Sequence, residues 1–533
     1  MVVSQARVKS TSLHPYSIPP VDGLYRDGKY IRSRVDGRYL LLRGVCFGPV
    51  AKLPPHLPFR TRDDWEAFDQ FVDLLRISGL TTLRLAFIWH ALEPVCDPEK
   101  PVYNEGYADD FFYFVQRFEE AGFTVFIDVH QDLVQTAYGG GGLPQWVKED
   151  GGSDGGVMLN TPWWGLNYVL NRAMRRTFTQ FWKNDLSNTE VEPPLVHFRV
   201  LDRYLDMIEY LARRSRQHSN VIGIELINEP HPAELDADNF EAGILSNLYL
   251  QCIERVRKHS QDLFILVSPQ SDWNVNLRPD KDYRSHLTLD MSHDDRLVFA
   301  YHYYDSKLTA LHGLHFYESK REEYEEAIAL GVREATRRGM VPFLTEFGTR
   351  QNWFRVVTRK HMHWQFNAIE QAVVNATYWN VNLYNTVKDR DGFMQEDFSL
   401  LDHDHRPRNL DMIVRPYPLA SSAEPVRMHY NEHSHAFELV LYGTASDEPT
   451  VIYLPYSVQN NPLAIDPYGQ GFKVYYRYEL VNDVRAEFLP EANQLFLWLD
   501  KTIQDHHIII VPSDRAVLAS PEQLVFSVGD EHS

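Results

Sequence analysis

Two hydrophobic rhythms divide this chain. Over roughly the first 420 residues, short unbroken apolar runs alternate with stretches whose apolar positions recur every three or four residues. The runs are 39–46, "LTTLRLAFIW", "FTVFIDVH", "NVIGIELINEP", "LFILVSP", "RLVFAYHYY", "VPFLTEFG" and "ATYWNVN". Between the first two, "TRDDWEAFDQFVDLLRISG" places Trp65, Phe68, Phe71, Val72 and Leu75 at helical spacing. Thr61 and Asp64 suit the start of that helix and Gly79 its end. Further helices are expected near 106–120, 201–216, 245–259, 319–337 and 360–374. Unbroken apolar strands suit a parallel sheet covered on both faces. Eight of them alternating with helices predict an α/β chain built on a (β/α)8 TIM barrel. No Gly-x-Gly-x-x-Gly follows the first strand, which weighs against an open dinucleotide-binding sheet.

Two regions break this rhythm. A long insertion at about 131–200 follows the third strand and carries "YGGGGLPQW", "GGSDGG" and Trp163-Trp164. Its glycines lack the Gly-Lys-Ser/Thr of a phosphate cradle, so a mobile loop beside the active site is the better reading. Beyond "IVRPYPLASSAEP" come short β-type runs broken by turns, among them "AFELVLYG", "TVIYLPY", "FKVYYRYEL", "NQLFLWLD" and "HHIIIVP". These predict a C-terminal antiparallel β-sandwich. The expected division is a catalytic barrel over 1–418, with an N-terminal hairpin turned at Asp36-Gly37, and a sandwich over 419–533.

Charge and composition narrow the field. With 53 basic and 73 acidic side chains the net charge is −20, which disfavours a nucleic-acid partner. Cys46, Cys96 and Cys252 match no zinc spacing and no disulfide framework. The first residues lack the apolar core of a secretory signal, and no stretch approaches 18 apolar residues. A cytoplasmic protein is expected, with peripheral membrane contact left open and oligomeric state unspecified.

The chemistry gathers where the strands end. In a TIM barrel the carboxyl ends of the strands form the floor of the active site. There the sequence offers Arg84, His130, Asn228 and Glu229, His302 with Tyr304, Glu346, and Trp379. Taken singly, each has a plain structural use: an ion pair, a satisfied core histidine, a core tryptophan. Together they match a reaction. A retaining glycosidase needs two carboxyl groups about 5–5.5 Å apart, one to attack the anomeric carbon and one to protonate the leaving oxygen. Glu229 and Glu346, 117 residues apart in the chain, end the fourth and seventh strands. Glu229 stands where a proton donor is needed. Glu346 must stay ionised to attack, and Arg84 with the Tyr304 hydroxyl would favour that form. Asn228 could donate to a sugar hydroxyl, Trp379 could stack on a pyranose, and the two histidines could hold hydroxyls or orient the glutamates.

At these residues the chain resembles glycoside hydrolase family 5. "INEP" resembles the family's acid/base motif and "TEFG" its nucleophile motif. "DVHQD" at 128–132, "GGGGLPQW", "GFMQEDFSL" at 392–400 and "VRPYP" at 414–418 resemble the endoglycoceramidase branch, which includes fungal glucosylceramidases and sterylglucosidases. The resemblance covers most of the chain and implies a β-glycoside substrate with a ceramide or sterol aglycone. It implies Glu229 as acid/base and Glu346 as nucleophile, with Asp132 and Lys52 holding hydroxyls of the sugar beside the cleaved bond. Neither cofactor nor metal is implied. One departure stands out: relatives tend to read Gly-Trp-Asn where this chain has Gly392-Phe393-Met394, which bears on sugar and aglycone choice.

Release of a single glucose is the leading expectation. The alternatives are release of an intact oligosaccharide from ceramide, or action on non-lipid β-glucosides. A metal-dependent hydrolase is a weaker rival, because "LDHDHRPR", "EHSHAF" and "QDHHI" hold His near carboxylates without a convergent ligand motif. A non-catalytic binding protein on the same scaffold would need neither glutamate.

Overall fold

The computed structural model describes residues 14–97, 99–147, 159, 164–183, 199–271, 284–289, 294–305, 319–351, 355–456, 467–477, 479–480, 485–514 and 525. Trp163 and the glycines of 151–156 lie outside the described residues. Near the start come β1 (Leu24–Asp27), β2 (Tyr30–Ser33) and β3 (Tyr39–Leu40). The barrel strands follow: β4 (Arg43–Phe47), β5 (Thr82–Phe87), β6 (Thr124–Val129), β7 (Val221–Glu225), β8 (Phe264–Val267), β9 (Leu297–Tyr303), β10 (Val341–Phe347) and β11 (Asn375–Val381). They close into a parallel barrel in sequence order, β11 pairing back onto β4.

Each expected helix is present. The helix Trp65–Ser78 follows Asp64 and ends at Gly79, whose left-handed φ of 68° lets its N–H reach the carbonyls of Leu75 and Arg76. The helix Val200–Ser215 precedes β7, Ser246–Arg257 precedes β8, and Arg355–Ala372 precedes β11. Among the described residues no helix is long and apolar enough to cross a membrane.

The barrel interior explains why the strand ends are polar. Side chains two apart share a face, so each strand sends a column inward. Low in the barrel these columns are apolar: Phe126, Ile222, Phe264, Leu266, Val298, Ala300 and Phe343 pack in one cluster. Phe126 meets Phe343 edge to face with centroids 5.1 Å apart. Two residues on from Phe126 stands Asp128, and two further His130; two on from Ala300 stands His302. A dry floor thus carries a buried polar layer.

The N-terminal hairpin departs from the expected division. The run 39–46 is two strands: β3 ends at Leu40, and Arg43 opens the barrel strand. Leu24, Ile31, Leu40 and Leu42 belong to the same cluster as the barrel floor, so the hairpin plugs the bottom of the barrel. Its strands pair with the C-terminal sheet rather than with the barrel, Ala420 facing Leu40 and Ser421 facing Tyr39. The C-terminal strands are β12 (Tyr417–Ser421), β13 (Glu424–Tyr430), β14 (Phe437–Tyr442), β15 (Thr450–Tyr453), β16 (Phe472–Tyr476), β17 (Glu479–Leu480), β18 (Ala486–Leu489), β19 (Gln494–Leu497) and β20 (Asp505–Pro512). One sheet runs β1-β2-β3-β12-β15-β19-β18 and the other β13-β14-β20-β16-β17. Leu439, Leu441, Val451, Leu495, Leu497, Ile508 and Ile510 from the two sheets share one core, as in a sandwich. The sequence reading missed β12, β13 and β18.

Candidate active site

Arg84, inward on β5, organises the polar layer. Its guanidinium donates to Glu225 (2.6 Å), Glu346 (2.5 Å) and the side-chain oxygen of Asn228 (2.8 Å), and lies 3.1 Å from Asp128. A planar fork with several fixed donors suits this convergence, where a lysine would supply one point charge. Burial works against the Arg84 cation, yet the carboxylates of Asp128, Glu225 and Glu346 outweigh it and lift its pKa further.

Glu346 comes from an irregularity in β10. The β9–β10 register shifts between Leu344 and Glu346, the kind of bulge that re-aims a side chain. Since Phe343 points inward, strict alternation would send position 346 outward. Glu346 instead faces His302 across the ladder and meets Arg84 inside the barrel. The Tyr304 hydroxyl donates to its other oxygen at 2.9 Å. Burial pushes the Glu346 carboxyl up, but His302, Arg84, His130 and Lys52 together hold it below the usual carboxylate range. It is an ionised carboxylate with only 7% of its side chain exposed.

Glu229 lies just beyond β7 with a left-handed φ of 42°. The strand pairing carries on to this point, because Asn228 N–H donates to the Val129 carbonyl at 3.0 Å. The Gln131 amide donates to the carbonyls of both Asn228 and Glu229 at 3.0 Å. The Glu229 side chain is 24% exposed, more open than Glu346, and its carboxylate lies 2.8 Å from His302 Nδ1. That nitrogen is also 3.6 Å from Glu346, so His302 sits between the two glutamates. An oxygen of Glu229, an oxygen of Glu346 and a ring nitrogen of His302 all fall within 4.8 Å of one another. One oxygen of each carboxylate thus lies within 4.8 Å of the other, an approach that suits the close pair of a retaining enzyme. Three such donors could also ligate a cation. Here Glu346 is already engaged by Arg84 and Tyr304, and the neighbouring guanidinium repels a second positive charge.

The remaining predicted residues form a second cluster against the first. His130 sits with Nδ1 2.6 Å from Asp128 and Nε2 3.1 Å from Asp132. Burial opposes its charge, but these two acids win and push its pKa up to about 9. Both ring nitrogens then donate, and His130 braces aspartates rather than the glutamates. Asp132 pairs with the Lys52 ammonium. Burial disfavours its ionised form, yet Lys52 and His130 hold its carboxyl well below the usual range.

Two predicted residues make framework contacts that the sequence does not show. Asn228 spends its oxygen on Arg84 and an amide hydrogen on the Gln131 carbonyl (3.0 Å), so it is first a framework residue. Trp379 was expected to offer an open stacking face. It is only 4% exposed, with the Lys52 ammonium 4.2 Å from its ring centroid and its Nε1–H donating to Glu396 at 3.2 Å.

Sequence reasoning missed Asp128, Glu225, Gln131 and Glu396. Asp128 was legible through its two-residue offset from His130. Glu225 hides in the apolar run "VIGIE". Glu396 is buried beside Lys52 and Asp132, and burial pushes its carboxyl up to about 7. The glycine-rich stretch is no phosphate cradle. Gly141 and Asp132 exchange backbone hydrogen bonds of 2.8 and 2.9 Å, and a Cβ on Gly140 would fall 1.8 Å from the Asp132 carbonyl oxygen. Glycine here lets the loop lie against Asp132.

The cellulase (glycosyl hydrolase family 5) model matches residues 59–385, and the glycoside hydrolase family 5 C-terminal domain model matches 415–483. The chain belongs to glycoside hydrolase family 5. This family 5 member is an O-glycosyl hydrolase. It is 26% identical over 452 residues to endoglycoceramidase I of Rhodococcus hoagii, covering 82% of this chain and 80% of that one. It is 25% identical over 277 residues to the glucosylceramidase of Rhizopus delemar, covering 43% of this chain and 38% of that one. In fold it is similar to sterylglucosidase 1 of Cryptococcus neoformans, with a TM-score of 0.74 at 16% identity over 93% of this chain and 99% of that one. It is similar in the same sense to endo-glycoceramidase II of Rhodococcus sp., with a TM-score of 0.70 at 21% identity over 91% of this chain and 100% of that one.

Proposed function

We propose that this family 5 hydrolase cleaves the β-glucosidic bond of a glycolipid, glucosylceramide or a steryl glucoside, by double displacement. The observation that carries the reading is the approach of Glu229 and Glu346 within 4.8 Å around His302. Glu346 attacks the anomeric carbon as Glu229 protonates the departing lipid oxygen, giving a glycosyl ester and the free alcohol. Glu229, now a carboxylate, then takes a proton from water as that water attacks the anomeric carbon and breaks its bond to Glu346. Arg84 and Tyr304 keep the nucleophile ionised and aimed. The lipid aglycone is supported by the relatives, which are endoglycoceramidases, glucosylceramidases and, from Saccharomyces cerevisiae, an ergosteryl-beta-glucosidase.

Release of one sugar is supported by how tightly the second cluster is closed. Lys52 lies between the rings of Trp379 and Phe393, 4.2 and 4.6 Å from their centroids. Phe393 also meets Trp164 of the insertion edge to face at 5.8 Å. In this reading Lys52, Asp132 and Glu396 take hydroxyls of a terminal sugar, and the Phe393–Trp164 contact bars a second one. The test offers glucosylceramide, a steryl glucoside, lactosylceramide and cello-oligosaccharides, and resolves products by mass. Glucose from the first two and nothing from lactosylceramide is expected. Lactose released from lactosylceramide would replace this reading with an endo-acting one.

A further inference from the structure

The mouth of the barrel carries most of the exposed large apolar side chains of an acidic molecule. Twelve large apolar side chains are exposed among the described residues, and eight of them stand on strand-to-helix connections or their first helical turn, at the face that opens onto the two glutamates. Trp65, Val95, Val102, Val356 and Val387 are scattered around this rim. The other three fall within five residues of the insertion: Leu166 is 40% exposed, Val169 64% and Leu170 46%.

This segment has two sides. Inward, Tyr168 stacks on His231 at 4.8 Å and its hydroxyl accepts from the Leu133 N–H at 3.0 Å, while Trp164 meets Phe393. The segment is thus tied to the catalytic loops. Outward it offers Leu166, Val169 and Leu170 to solvent. Charge changes with it. The stretch 164–183 holds Arg172, Arg175, Arg176 and Lys183 and no acidic residue, in a chain of net charge −20. Arg175 lies 3.9 Å from Glu234, whereas Arg172 is exposed to solvent.

We propose that this rim docks on an anionic phospholipid bilayer, Leu166, Val169 and Leu170 entering the headgroup boundary and Arg172 facing lipid phosphate or carboxylate. An apolar ridge beside clustered cations is the signature of interfacial binding, and the acidic remainder of the molecule favours one orientation. That orientation turns the mouth towards the membrane, so a glycolipid headgroup could reach Glu229 and Glu346 while its lipid stays near the bilayer. The inference takes its purpose from the glycolipid reading but not its evidence.

The experiment sediments the full chain with phosphatidylcholine vesicles with or without phosphatidylserine, no glycolipid being present. Wild type is expected to bind the phosphatidylserine vesicles. The triple variant Leu166→Ser, Val169→Ser, Leu170→Ser is expected to bind them at least about tenfold more weakly. Arg172→Glu is expected to lose about fivefold on phosphatidylserine vesicles and nothing on phosphatidylcholine alone. Both variants should hydrolyse a soluble aryl β-glucoside like wild type. Failure of wild type to sediment, or triple-variant binding equal to wild type, overturns the proposal. If the triple variant loses aryl-glucoside turnover, Arg172→Glu decides, and unchanged binding by it overturns the proposal. A protein that binds vesicles yet cleaves no glycolipid would overturn the proposed substrate and leave the docking face standing.

Discussion

At the scale of single residues, the two glutamates differ in surroundings in a way that assigns their work. Glu346 is buried between a guanidinium and a phenol, whereas Glu229 is more open and leans on one imidazole. Glu346→Gln should lower turnover by about three orders of magnitude or more while leaving thermal unfolding within a few degrees, since an amide cannot attack. Glu229→Gln should cost about 10²–10⁴-fold on a glycolipid and far less on a dinitrophenyl glucoside, whose leaving group needs no proton. Equal losses on both substrates would remove Glu229 from the acid role. His130 carries a pH signature. Its folded pKa of about 9 exceeds the free value of 6.5, so its contribution is complete below pH 6.5 and lost as pH rises through 9. The melting temperature should fall across that window by the equivalent of up to about 3 kcal/mol, and His130→Gln should flatten the curve.

At the scale of elements, two local devices place the chemistry. The first is the bulge at Leu344–Glu346, which turns a side chain from the outer face to the inner one. The second is the glycine-rich loop clasping Asp132. Gly140→Ala would put a methyl carbon 1.8 Å from the Asp132 carbonyl and force the loop outward. Turnover should drop at least about tenfold, because misplacing a binding group by about 1 Å can cost a hundredfold. The melting temperature should move by only a few degrees, because the barrel floor is untouched. Unchanged turnover would show that Asp132 need not be held there. Both devices were hard to read in the sequence. "LTEFG" named Glu346 as the nucleophile by resemblance, but nothing in its spacing announced a bulge. The four glycines suggested a mobile loop, and nothing in their spacing announced a clasp on Asp132.

At the scale of the whole molecule, barrel and sandwich are one mechanical unit. Hairpin residues Leu24, Ile31 and Leu40 complete the barrel floor while their strands extend the C-terminal sheet. A second seam joins Gly79, at the end of a barrel helix, to the buried ring of Tyr453 on β15, which a Cβ at position 79 would approach to 2.5 Å. Tyr453 and Tyr417 both donate through their hydroxyls to carbonyls at this helix end. A third runs through Glu370, which accepts from Arg415 at 2.9 Å and from the Tyr430 N–H of β13 at 3.0 Å. Tyr453→Ala should therefore destabilise the molecule by about 3–5 kcal/mol and lower a single calorimetric transition. Two separated transitions, with the barrel melting unchanged, would show that the sandwich folds apart from it.

The sequence by itself determined the eight strands, their order, the β-rich C-terminal region and the acids and bases at the strand ends. Periodicity follows from local backbone geometry, and the strand termini of a barrel converge by construction. Only the tertiary structure decided where the hairpin belongs, which way Glu346 points, that Trp379 lies under Lys52, and that Glu225 and Glu396 join the buried charges. Each of these depends on contacts between residues tens to hundreds of positions apart, and neither spacing nor composition records such contacts.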